Sequence, residues 1–330
     1  MLSLQNKRVL VTGAGGFIGS HLVERLVSLG ASVRAFVRYN SRGDVGLLSV
    51  INPQARAAVE IVSGDLRDPL AMDQAVKGCD VVFHLGALIA IPYSYLHPYE
   101  VAETNVMGTL NVLNACRERG VARLVHTSTS EVYGTARYAP IDEPHPLQGQ
   151  SPYSASKIGA DKLVESFHLS FGLPTVTVRP FNTFGPRQSA RAVIPTIITQ
   201  ALANDVIRLG SLETTRDFTF VDDTVEGFIC AAQAEGVEGL TVNLGTGREV
   251  TIGELAQQII ERVGTTARIE LDPARLRPAD SEVMRLISDN TLARQRLGWS
   301  PKVPLETGLD RTIAWIRSNL GRFRVGVYEV

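Results

Sequence analysis

A run of polar side chains follows an apolar stretch at positions 126–134, which read HTSTSEVYG. Thr129, Ser130 and Glu131 stand side by side there, directly after a predicted buried strand. Such a group either caps a helix or forms a reactive site, because a buried polar group without a partner is costly. A carboxylate can remove a proton and a hydroxyl can donate or relay one. The stretch is therefore the first candidate catalytic site.

A tyrosine and a lysine follow in the sequence SPYSASK. Tyr153 and Lys157 are four residues apart, which places both side chains on one face of a helix. An ammonium group beside a phenol stabilises the phenolate, so we expect Tyr153 to act as a base near neutral pH. Thr129 can hydrogen-bond the same substrate hydroxyl that Tyr153 deprotonates. The pair also arises by chance, and its significance depends on the nucleotide-binding pattern that precedes it.

That pattern is a glycine-rich turn near the start of the chain, VTGAGGFIGSHL. Gly13 permits a tight turn, Gly16 lets the backbone approach a pyrophosphate, and Gly19 lets the following helix pack on the strand. The start of this helix, at Phe17 and Ile18, supplies N–H donors and a positive dipole end. A strand, this turn and a helix in succession predict a dinucleotide site.

The end of the second predicted strand indicates which dinucleotide is bound, since an acidic residue there pairs with a ribose hydroxyl. The sequence has AFVRYNSR instead, in which Arg38 and Ser41 are the cofactor candidates. Arginine pairs with phosphate, so we expect NADP, with NAD as the alternative if Arg38 is a surface residue. Asp65, Leu66 and Leu85 complete the candidate cofactor contacts. Asp65 either reaches the adenine amine or caps a helix.

Strand-like and helix-like segments alternate up to residue 182. Short β-branched runs such as RVLVTG alternate with amphipathic runs such as FIGSHLVERLVSLG, and CDVVFHLGA is apolar enough for the centre of a parallel sheet. This order predicts an α/β fold, a doubly wound parallel Rossmann sheet with helices on both faces. Long helices are expected near 100–119 and 153–171.

Beyond residue 182, prolines divide the chain into short elements, which predicts a smaller C-terminal α/β region. GLTVNLGTG resembles a further sheet strand, so we assign residues 1–182 and roughly 217–247 to the dinucleotide-binding domain. Residues 183–216 and 248–330 form the smaller region. Asp222 and Asp223 are expected to cap the helix after them. The final segment RFRVGVYEV alternates like a strand that could pair with a sheet edge, and we expect it to be ordered, with a disordered tail as the alternative.

The composition is that of an ordinary globular protein, with 330 residues, 44% of them apolar, and a net charge of −1. No basic run indicates a nucleic-acid partner, and the longest apolar stretch is too short to span a bilayer. The three cysteines, Cys79, Cys116 and Cys230, are far apart and fit unpaired residues in a reduced cytoplasm. No ligand spacing predicts a metal site. We expect a cytoplasmic protein without nucleic-acid, membrane or metal partners.

Four motifs together, TGAGGFIGSHL, STSEVYG, YSASK and RPFNTFGPRQ, make the chain resemble the extended short-chain dehydrogenase/reductases that act on nucleotide sugars. The resemblance covers essentially the whole chain. It implies cofactor binding in the N-terminal domain, sugar-nucleotide binding in the C-terminal region, and catalysis by Thr129, Tyr153 and Lys157. It also implies a homodimer, in which each subunit gives the helices near 100–119 and 153–171 to a four-helix bundle.

The same resemblance assigns substrate contacts. Asn182 in RPFN is similar to the asparagine that contacts the sugar nucleotide. Arg216 and Arg277 are similar to the arginines that bind the diphosphate, a role that suits the forked guanidinium. A surface salt bridge is the alternative role for each arginine.

Ser130 and Glu131 bear on which reaction of this family the chain catalyses. The members can begin alike, by oxidising the sugar at C4. A 4-ketone acidifies the C5 proton, so Glu131 can remove it while Ser130 helps the 6-hydroxyl leave as water. Return of the hydride to C6 restores the tightly bound cofactor in each turnover, which predicts a 4,6-dehydratase. Simple 4-epimerases usually have small, non-acidic residues there, whereas UDP-glucuronic acid decarboxylases share Thr-Ser-Glu.

Further segments narrow the resemblance. RAFVRYNSR, LIAIPYSYLHP, LQGQSPYSASKIGADK and RQSARAVIPTIITQAL resemble the NAD(P)-dependent UDP-N-acetylglucosamine 4,6-dehydratases of legionaminic-type sugar pathways. Tyr93, Ser94 and Tyr95 in the IPYSYLHP loop are candidate sugar contacts, with a role in packing as the alternative. GDP-linked relatives leave the base open. A regulator that senses NADP on the same fold is the non-enzyme alternative, against which the presence of Tyr153 and Lys157 argues.

Overall fold

The computed structural model describes residues 2–327 of the chain, and its centre is a parallel β-sheet. The strands are short and rich in valine, and β-branched side chains pack well on a pleated surface. In chain order they are β1 (Arg8–Thr12), β2 (Ser32–Arg38), β3 (Glu60–Gly64), β4 (Val81–His84), β5 (Arg123–Thr127), β6 (Thr175–Pro180), β7 (Thr183–Phe184), β8 (Val206–Leu209), β9 (Thr215–Arg216), β10 (Thr219–Phe220), β11 (Thr241–Leu244), β12 (Val250–Thr251) and β13 (Arg268–Leu271).

The central sheet has seven strands in the order β11-β6-β5-β4-β1-β2-β3, and all of its neighbours pair in parallel. The strand order reverses between β1 and β4, where crossovers leave the sheet in opposite directions. Ligands of doubly wound sheets bind outside the carboxyl ends of the strands at such a switch point. The predicted α/β fold with a doubly wound parallel sheet is confirmed, and GLTVNLGTG does supply a sheet strand, β11.

Helices cover both faces of the sheet, because parallel strands are joined by crossover helices. They are α1 (Phe17–Ser28), α2 (Pro53–Ala57), α3 (Pro69–Val76), α4 (Ile91–Leu96), α5 (Pro98–Ala102), α6 (Gly108–Arg119), α7 (Pro152–Phe171), α8 (Val193–Ala203), α9 (Val221–Gln233), α10 (Ile252–Val263) and α11 (Leu305–Ser318). A π-helical turn, Glu103–Met107, joins α5 to α6, so the helix expected near 100–119 begins at Pro98 and changes its winding on the way.

Three two-stranded sheets lie outside the central sheet: β7 with β10, β8 with β13, and β9 with β12. The first two pairs are parallel and the third is antiparallel. Helices α8, α10 and α11 pack with one another. The largest apolar cluster joins side chains of the central sheet to side chains of these C-terminal helices, so both parts of the chain share one core.

Two local predictions are wrong. Asp222 and Asp223 lie inside the first turn of α9, whose N-cap is Phe220, and do not cap it. Asp223 Oδ2 instead accepts hydrogen bonds from the backbone N–H groups of Lys302 and Val303. The C-terminal segment forms a 3₁₀ turn at Leu320–Arg322 and no strand over residues 323–327, while residues 328–330 of the expected strand lie outside the described part.

Residues 2–327 bear on two expectations from the sequence, that the chain has no membrane-spanning helix and no metal site. No helix in this range has both the length and the apolar character needed to cross a bilayer. Within the same range, no three His, Cys, Asp or Glu side chains gather as a metal site would require. Cys79 and Cys116 are buried, and all three cysteines are unpaired.

Candidate active site

The catalytic turn begins where β5 ends. Thr129 has an extended backbone and caps a short 3₁₀ helix, Ser130–Tyr133, because its Oγ1 accepts a hydrogen bond from the Glu131 N–H at 3.2 Å. Ser130 is buried, yet its hydroxyl makes no hydrogen bond to any of residues 2–327. The Glu131 side chain is 14% exposed. The turn therefore presents a partly buried carboxylate and an unengaged hydroxyl beside Thr129.

Helix α7 brings the tyrosine and the lysine to this turn. Its start is fixed by Pro152 and by a reciprocal capping box between Ser151 and Ser154. Tyr153 and Lys157 are both buried. Lys157 Nζ donates a hydrogen bond of 2.7 Å to the carbonyl of Thr127, the last residue of β5. Helix and strand end are thus joined by the lysine itself.

The ionisation of the pair differs from the sequence-based expectation. Burial raises the pKa of the Tyr153 phenol well above its ordinary value, while the Thr129 side chain acts in the opposite direction. Burial lowers the pKa of Lys157 to about 8, and the nearby carboxylate of Asp161 opposes that shift. The protein groups alone therefore do not bring Tyr153 close to neutral ionisation. A further positive charge near the phenol would be needed.

Four side chains of alternating charge lie beside the turn. Glu282 Oε1 lies 3.4 Å from Arg216 Nη2 and 3.8 Å from Arg277 Nη1. The same Arg277 nitrogen lies 3.9 Å from Glu131 Oε2. It is buried and has no hydrogen-bond partner among residues 2–327, so it can bind an anion. The structure brings the two predicted arginines together, and it adds Glu282, which sequence reasoning missed.

The glycine turn has the geometry expected of a pyrophosphate cradle. Gly13 has φ +68°, and a Cβ there would lie 2.8 Å from the Gly86 nitrogen. A Cβ on Gly19 would lie 2.2 Å from the Gly13 carbonyl oxygen, whereas one on Gly16 would meet only that oxygen, at 3.1 Å. Gly16 caps α1 without a side-chain partner, and no acidic residue lies in the first turn at Phe17 and Ile18. These residues fit a bound dinucleotide.

The loops after β2 and β3, where the adenosine end of a dinucleotide is expected, contain charges of both signs. Arg38 is 64% exposed, and its Nη2 lies 3.4 Å from Glu100 Oε1 on α5. Asp65 does not cap a helix, because the N-cap of α3 is Asp68. Instead Asp65 Oδ2 lies 2.7 Å from Arg67 Nη2, and this ion pair lowers the pKa of the Asp65 carboxyl. The other candidates lie in the loops that end β2, β3 and β4: Ser41 is exposed, Leu66 is buried and Leu85 is half-buried.

In the loop after β4, the two candidate tyrosines contact different segments of the protein. The Tyr93 hydroxyl donates to Glu100 Oε2 at 2.5 Å, so Tyr93 faces the adenosine end. The Tyr95 hydroxyl lies 2.6 Å from Ser281 Oγ, on the segment that carries Arg277. Asn182 lies between β6 and β7, and its Nδ2 donates to the Asp217 carbonyl beside Arg216 at 3.4 Å.

Asn105 is a further residue that sequence reasoning missed. It lies in the π-helical turn and is buried. Its amide exchanges two hydrogen bonds with the backbone of Leu88, at 2.8 and 2.9 Å, and donates a third to Ser156 Oγ at 2.9 Å. It therefore fixes the loop after β4 against the catalytic helix. Asparagine is a poor helix former, but Asn111 and Asn114 lie in the same predicted helix, so no sequence signal singles out Asn105.

A dinucleotide cradle at the switch point, a tyrosine and a lysine on the next long helix and a pair of arginines define a class, the extended short-chain dehydrogenase/reductases. The chain matches the family model described as GDP-mannose 4,6 dehydratase over residues 10–312, and it belongs to that NAD-dependent epimerase/dehydratase family.

Its relatives differ in reaction. A UDP-glucose 4-epimerase of Mycolicibacterium smegmatis is 36% identical over 318 residues, which cover 94% of this chain and 99% of the relative. A dTDP-glucose 4,6-dehydratase of Streptomyces griseus is 34% identical and covers 93% of each chain. The solved structure of DesIV, a dTDP-glucose 4,6-dehydratase from Streptomyces venezuelae with NAD and TYD bound, has a TM-score of 0.84 at 30% identity, over 96% of this chain and 99% of that one. The chain is thus an enzyme of the nucleotide-sugar dehydratase/epimerase family.

Proposed function

We propose that the protein is a nucleotide-sugar 4,6-dehydratase. The supporting observation is the turn after β5, where the carboxylate of Glu131 and the unengaged hydroxyl of Ser130 follow Thr129 directly. An enzyme that only inverts C4 needs no base at C5 and no proton donor at the C6 oxygen. The turn provides one group suited to each task.

The roles of the protein groups follow from the bonds that change. Tyr153, with Thr129 holding the same oxygen, takes the proton of the sugar 4-hydroxyl. A bound nicotinamide dinucleotide supplies a reversible acceptor for the hydride from C4. Glu131 then removes the C5 proton, which the 4-ketone has made acidic, and Ser130 delivers a proton to the departing C6 hydroxyl. Hydride returns to C6 and a proton to C5, so one water is lost without an external oxidant.

Lys157 serves the first of these steps. Its ammonium lies at the end of β5 and is buried with Tyr153. Deprotonating the tyrosine requires positive charge nearby, because burial raises the pKa of its phenol. We propose that Lys157 supplies part of that charge; a bound oxidised nicotinamide dinucleotide would supply the rest. Cofactor binding and substrate deprotonation would then be coupled.

We propose NAD as the resident dinucleotide, in place of the NADP that Arg38 indicated in the sequence. The Glu100 carboxylate, 3.4 Å from Arg38, compensates the charge on which a 2′-phosphate would depend. The DesIV structure, at 30% sequence identity, contains NAD. We propose the glycine turn, Arg38, Ser41, Asp65, Leu66 and Leu85 as its contacts.

We propose UDP-N-acetylglucosamine as the substrate, on the strength of the sequence segments that resemble dehydratases of this sugar. Arg216 and Arg277 lie together on the substrate side, and a buried guanidinium nitrogen without a partner suits a diphosphate oxygen. Asn182 lies close to Arg216, because its side chain donates a hydrogen bond to the carbonyl of the next residue, Asp217. Of the loop residues, we propose Tyr95 as the contact in place of Tyr93.

One observation favours a second candidate, decarboxylation of UDP-glucuronic acid. That reaction needs a cation for the C6 carboxylate, and Arg277 lies 3.9 Å from Glu131. An arginine in that position suits either a diphosphate or a uronic acid. The 36% identical epimerase keeps C4 inversion as a third outcome of the test.

The experiment is product analysis by mass with UDP-N-acetylglucosamine, UDP-glucuronate and no added reductant. Loss of one water from the amino sugar is expected. An unchanged mass with inverted C4 indicates an epimerase, and loss of carbon dioxide from the uronate indicates the decarboxylase. Glu131→Gln should still oxidise C4 but fail to eliminate, and Tyr153→Phe should abolish turnover. A Tyr153→Phe variant that keeps its biological effect would instead indicate a regulator.

We also propose a homodimer formed through a four-helix bundle. Helices α5 and α6 pack against α7, and these helices and the π-helical turn between α5 and α6 carry exposed apolar side chains. They are Tyr99, Met107, Leu169 and Phe171. The unpaired cysteines fit a reduced cytoplasm, which is the location that we propose.

A further inference from the structure

We propose that Asp161 is a positioning residue for the C4 oxidation, because its buried carboxylate joins the catalytic helix to the strand end that carries Thr129. Asp161 lies on α7 one turn after Lys157 and is 5% exposed. The inference rests on the proposed role of Tyr153 and Lys157, which dehydration, epimerisation and decarboxylation would share.

The contacts of this carboxylate reach the residue immediately before the catalytic turn. Asp161 Oδ2 accepts a hydrogen bond of 2.7 Å from the Ser128 hydroxyl, and Thr129 follows Ser128. The same oxygen accepts two bonds from the Arg179 guanidinium on β6, at 3.2 and 2.9 Å. His126 Nε2 lies 3.3 Å from Asp161 Oδ1. One carboxylate therefore connects α7, β5 and β6 behind the reactive groups.

Arg179 continues the connection to the far end of the turn. Its Nη1 donates to the Tyr133 hydroxyl at 2.8 Å, and that hydroxyl donates to Asn243 Oδ1 at 2.7 Å. Tyr133 is the last residue of the 3₁₀ helix that begins at Ser130. The Asp161–Arg179 pair thus holds both ends of the turn, so the position of Thr129 relative to Tyr153 depends on it.

The carboxylate also faces Lys157 electrostatically. The groups that interact electrostatically with the ammonium are Asp161 on its own helix, His84 on β4 and His126 on β5. Both histidines are buried and their pKa values are lowered, His126 to about 4, so they are neutral at pH 7. Asp161 is the negative charge that opposes the loss of the lysine proton. Asp161 therefore makes two separable contributions: it holds the turn that carries Thr129 in position, and its charge raises the pKa of Lys157.

Asp161→Asn separates charge from shape, because it keeps the size of the side chain. We expect kcat for nicotinamide reduction in a single turnover to fall at least tenfold at pH 7.5, with KM changed less than threefold. The alkaline limb of the kcat profile should move to lower pH by about one unit or more, since an opposite charge within about 4–6 Å raises a lysine pKa by that amount. Asp161→Glu keeps the charge, so the alkaline limb of its kcat profile should remain at the wild-type pH.

Two further variants test the positional part. Ser128→Ala removes the link to the turn without leaving a buried charge unpaired, and it should lower kcat without moving the alkaline limb. Glu165→Gln, one turn further along the exposed face of α7, is the matched control and should leave both unchanged. Wild-type values of kcat and of the limb in Asp161→Asn would overturn the proposal, as would an equal displacement of the limb in Asp161→Glu.

Hydrogen exchange of the unliganded protein gives a readout that does not depend on turnover. Amides of residues 128–134 should exchange faster in Asp161→Asn and Ser128→Ala than in Glu165→Gln. If no nucleotide sugar reduces the cofactor in the wild type, the proposed function fails, and this comparison still decides whether Asp161 positions the turn. Equal exchange in all three variants would overturn that role.

Discussion

The guanidinium of Arg277 lies 3.9 Å from the carboxylate of Glu131, which links the proposed base to the arginines proposed to bind the substrate. Glu282 lies on the other side of the same nitrogen, at 3.8 Å. Neither distance is a hydrogen bond, and the nitrogen has no partner among residues 2–327. A diphosphate can therefore bind this guanidinium without first breaking a hydrogen bond within the protein.

Replacing Arg277 by Gln should chiefly weaken substrate binding. A hydrogen bond to a charged group is worth about 1.5–3 kcal/mol, so KM should rise by about 10- to 100-fold while kcat changes little. Arg277→Lys should recover part of the loss, since lysine keeps the charge without the fork. Steady-state kinetics decide the matter, with Arg268→Gln, an exposed residue outside the site, as control. A fall in kcat at unchanged KM would assign Arg277 to Glu131 instead of the diphosphate.

Arg38 and Glu100 should set the cofactor preference. We expect the purified protein to release NAD on denaturation. Because an exposed ion pair is worth about 0.2–1 kcal/mol, Glu100→Gln should tighten NADP binding by up to about fivefold by freeing Arg38. Arg38→Ala should weaken NADP binding more than NAD binding, since NAD lacks the 2′-phosphate that the guanidinium would pair with. Release of NADP alone would restore the preference expected from the sequence.

Two glycines of the phosphate turn should respond differently to alanine. A Cβ at Gly19 would collide with backbone atoms of Gly13 and Ala14, so Gly19→Ala should lower the free energy of unfolding by about 1–3 kcal/mol. A Cβ at Gly16 would meet only the Gly13 oxygen, at 3.1 Å. Gly16→Ala should therefore lose less stability but bind the dinucleotide more weakly. Urea unfolding and dinucleotide titration separate the two effects, and equal unfolding midpoints would contradict the packing role of Gly19.

The proposed dimer should dissociate when charge is placed on its helices. Tyr99 is 79% exposed on α5, and Met107 ends the π-helical turn. A buried unpaired carboxylate is costly, so Tyr99→Glu and Met107→Glu should each shift the mass in light scattering from dimer to monomer. Leu70→Glu, at a 76% exposed site on α3, is the control and should leave the mass unchanged. A wild-type mass of one subunit would remove the dimer proposal.

The sequence predicted the elements that follow local rules. Glycines 13, 16 and 19 need only a strand and a helix on either side of them, and Tyr153 with Lys157 needs only one helix. Asn105, Asp161 and Glu282 were not found, because their importance depends on contacts between distant segments. Tyr93 and Tyr95 were both candidates, and the contact that distinguishes them, from Tyr95 to Ser281, joins residues nearly two hundred positions apart.

His21 should make the fold sensitive to acid. Burial and, less strongly, the charge of Arg187 lower its pKa from 6.5 to about 4. The unfolded chain therefore takes up a proton as pH falls below 6.5, while the folded protein resists until about pH 4, so stability is lost as pH falls through this window. Between pH 7 and pH 5 the loss of stability from this group is about 2 kcal/mol, at about 1.4 kcal/mol per pKa unit.

His21→Gln can retain the hydrogen bond to the Pro186 carbonyl but cannot titrate. Urea unfolding of both proteins at pH 7 and pH 5 should show a smaller loss in the variant by that amount. The buried His84 and His126, whose pKa values are also lowered, contribute equally to both proteins and cancel in the difference. Parallel losses in the two proteins would mean that His21 is not protected from protonation in the folded state.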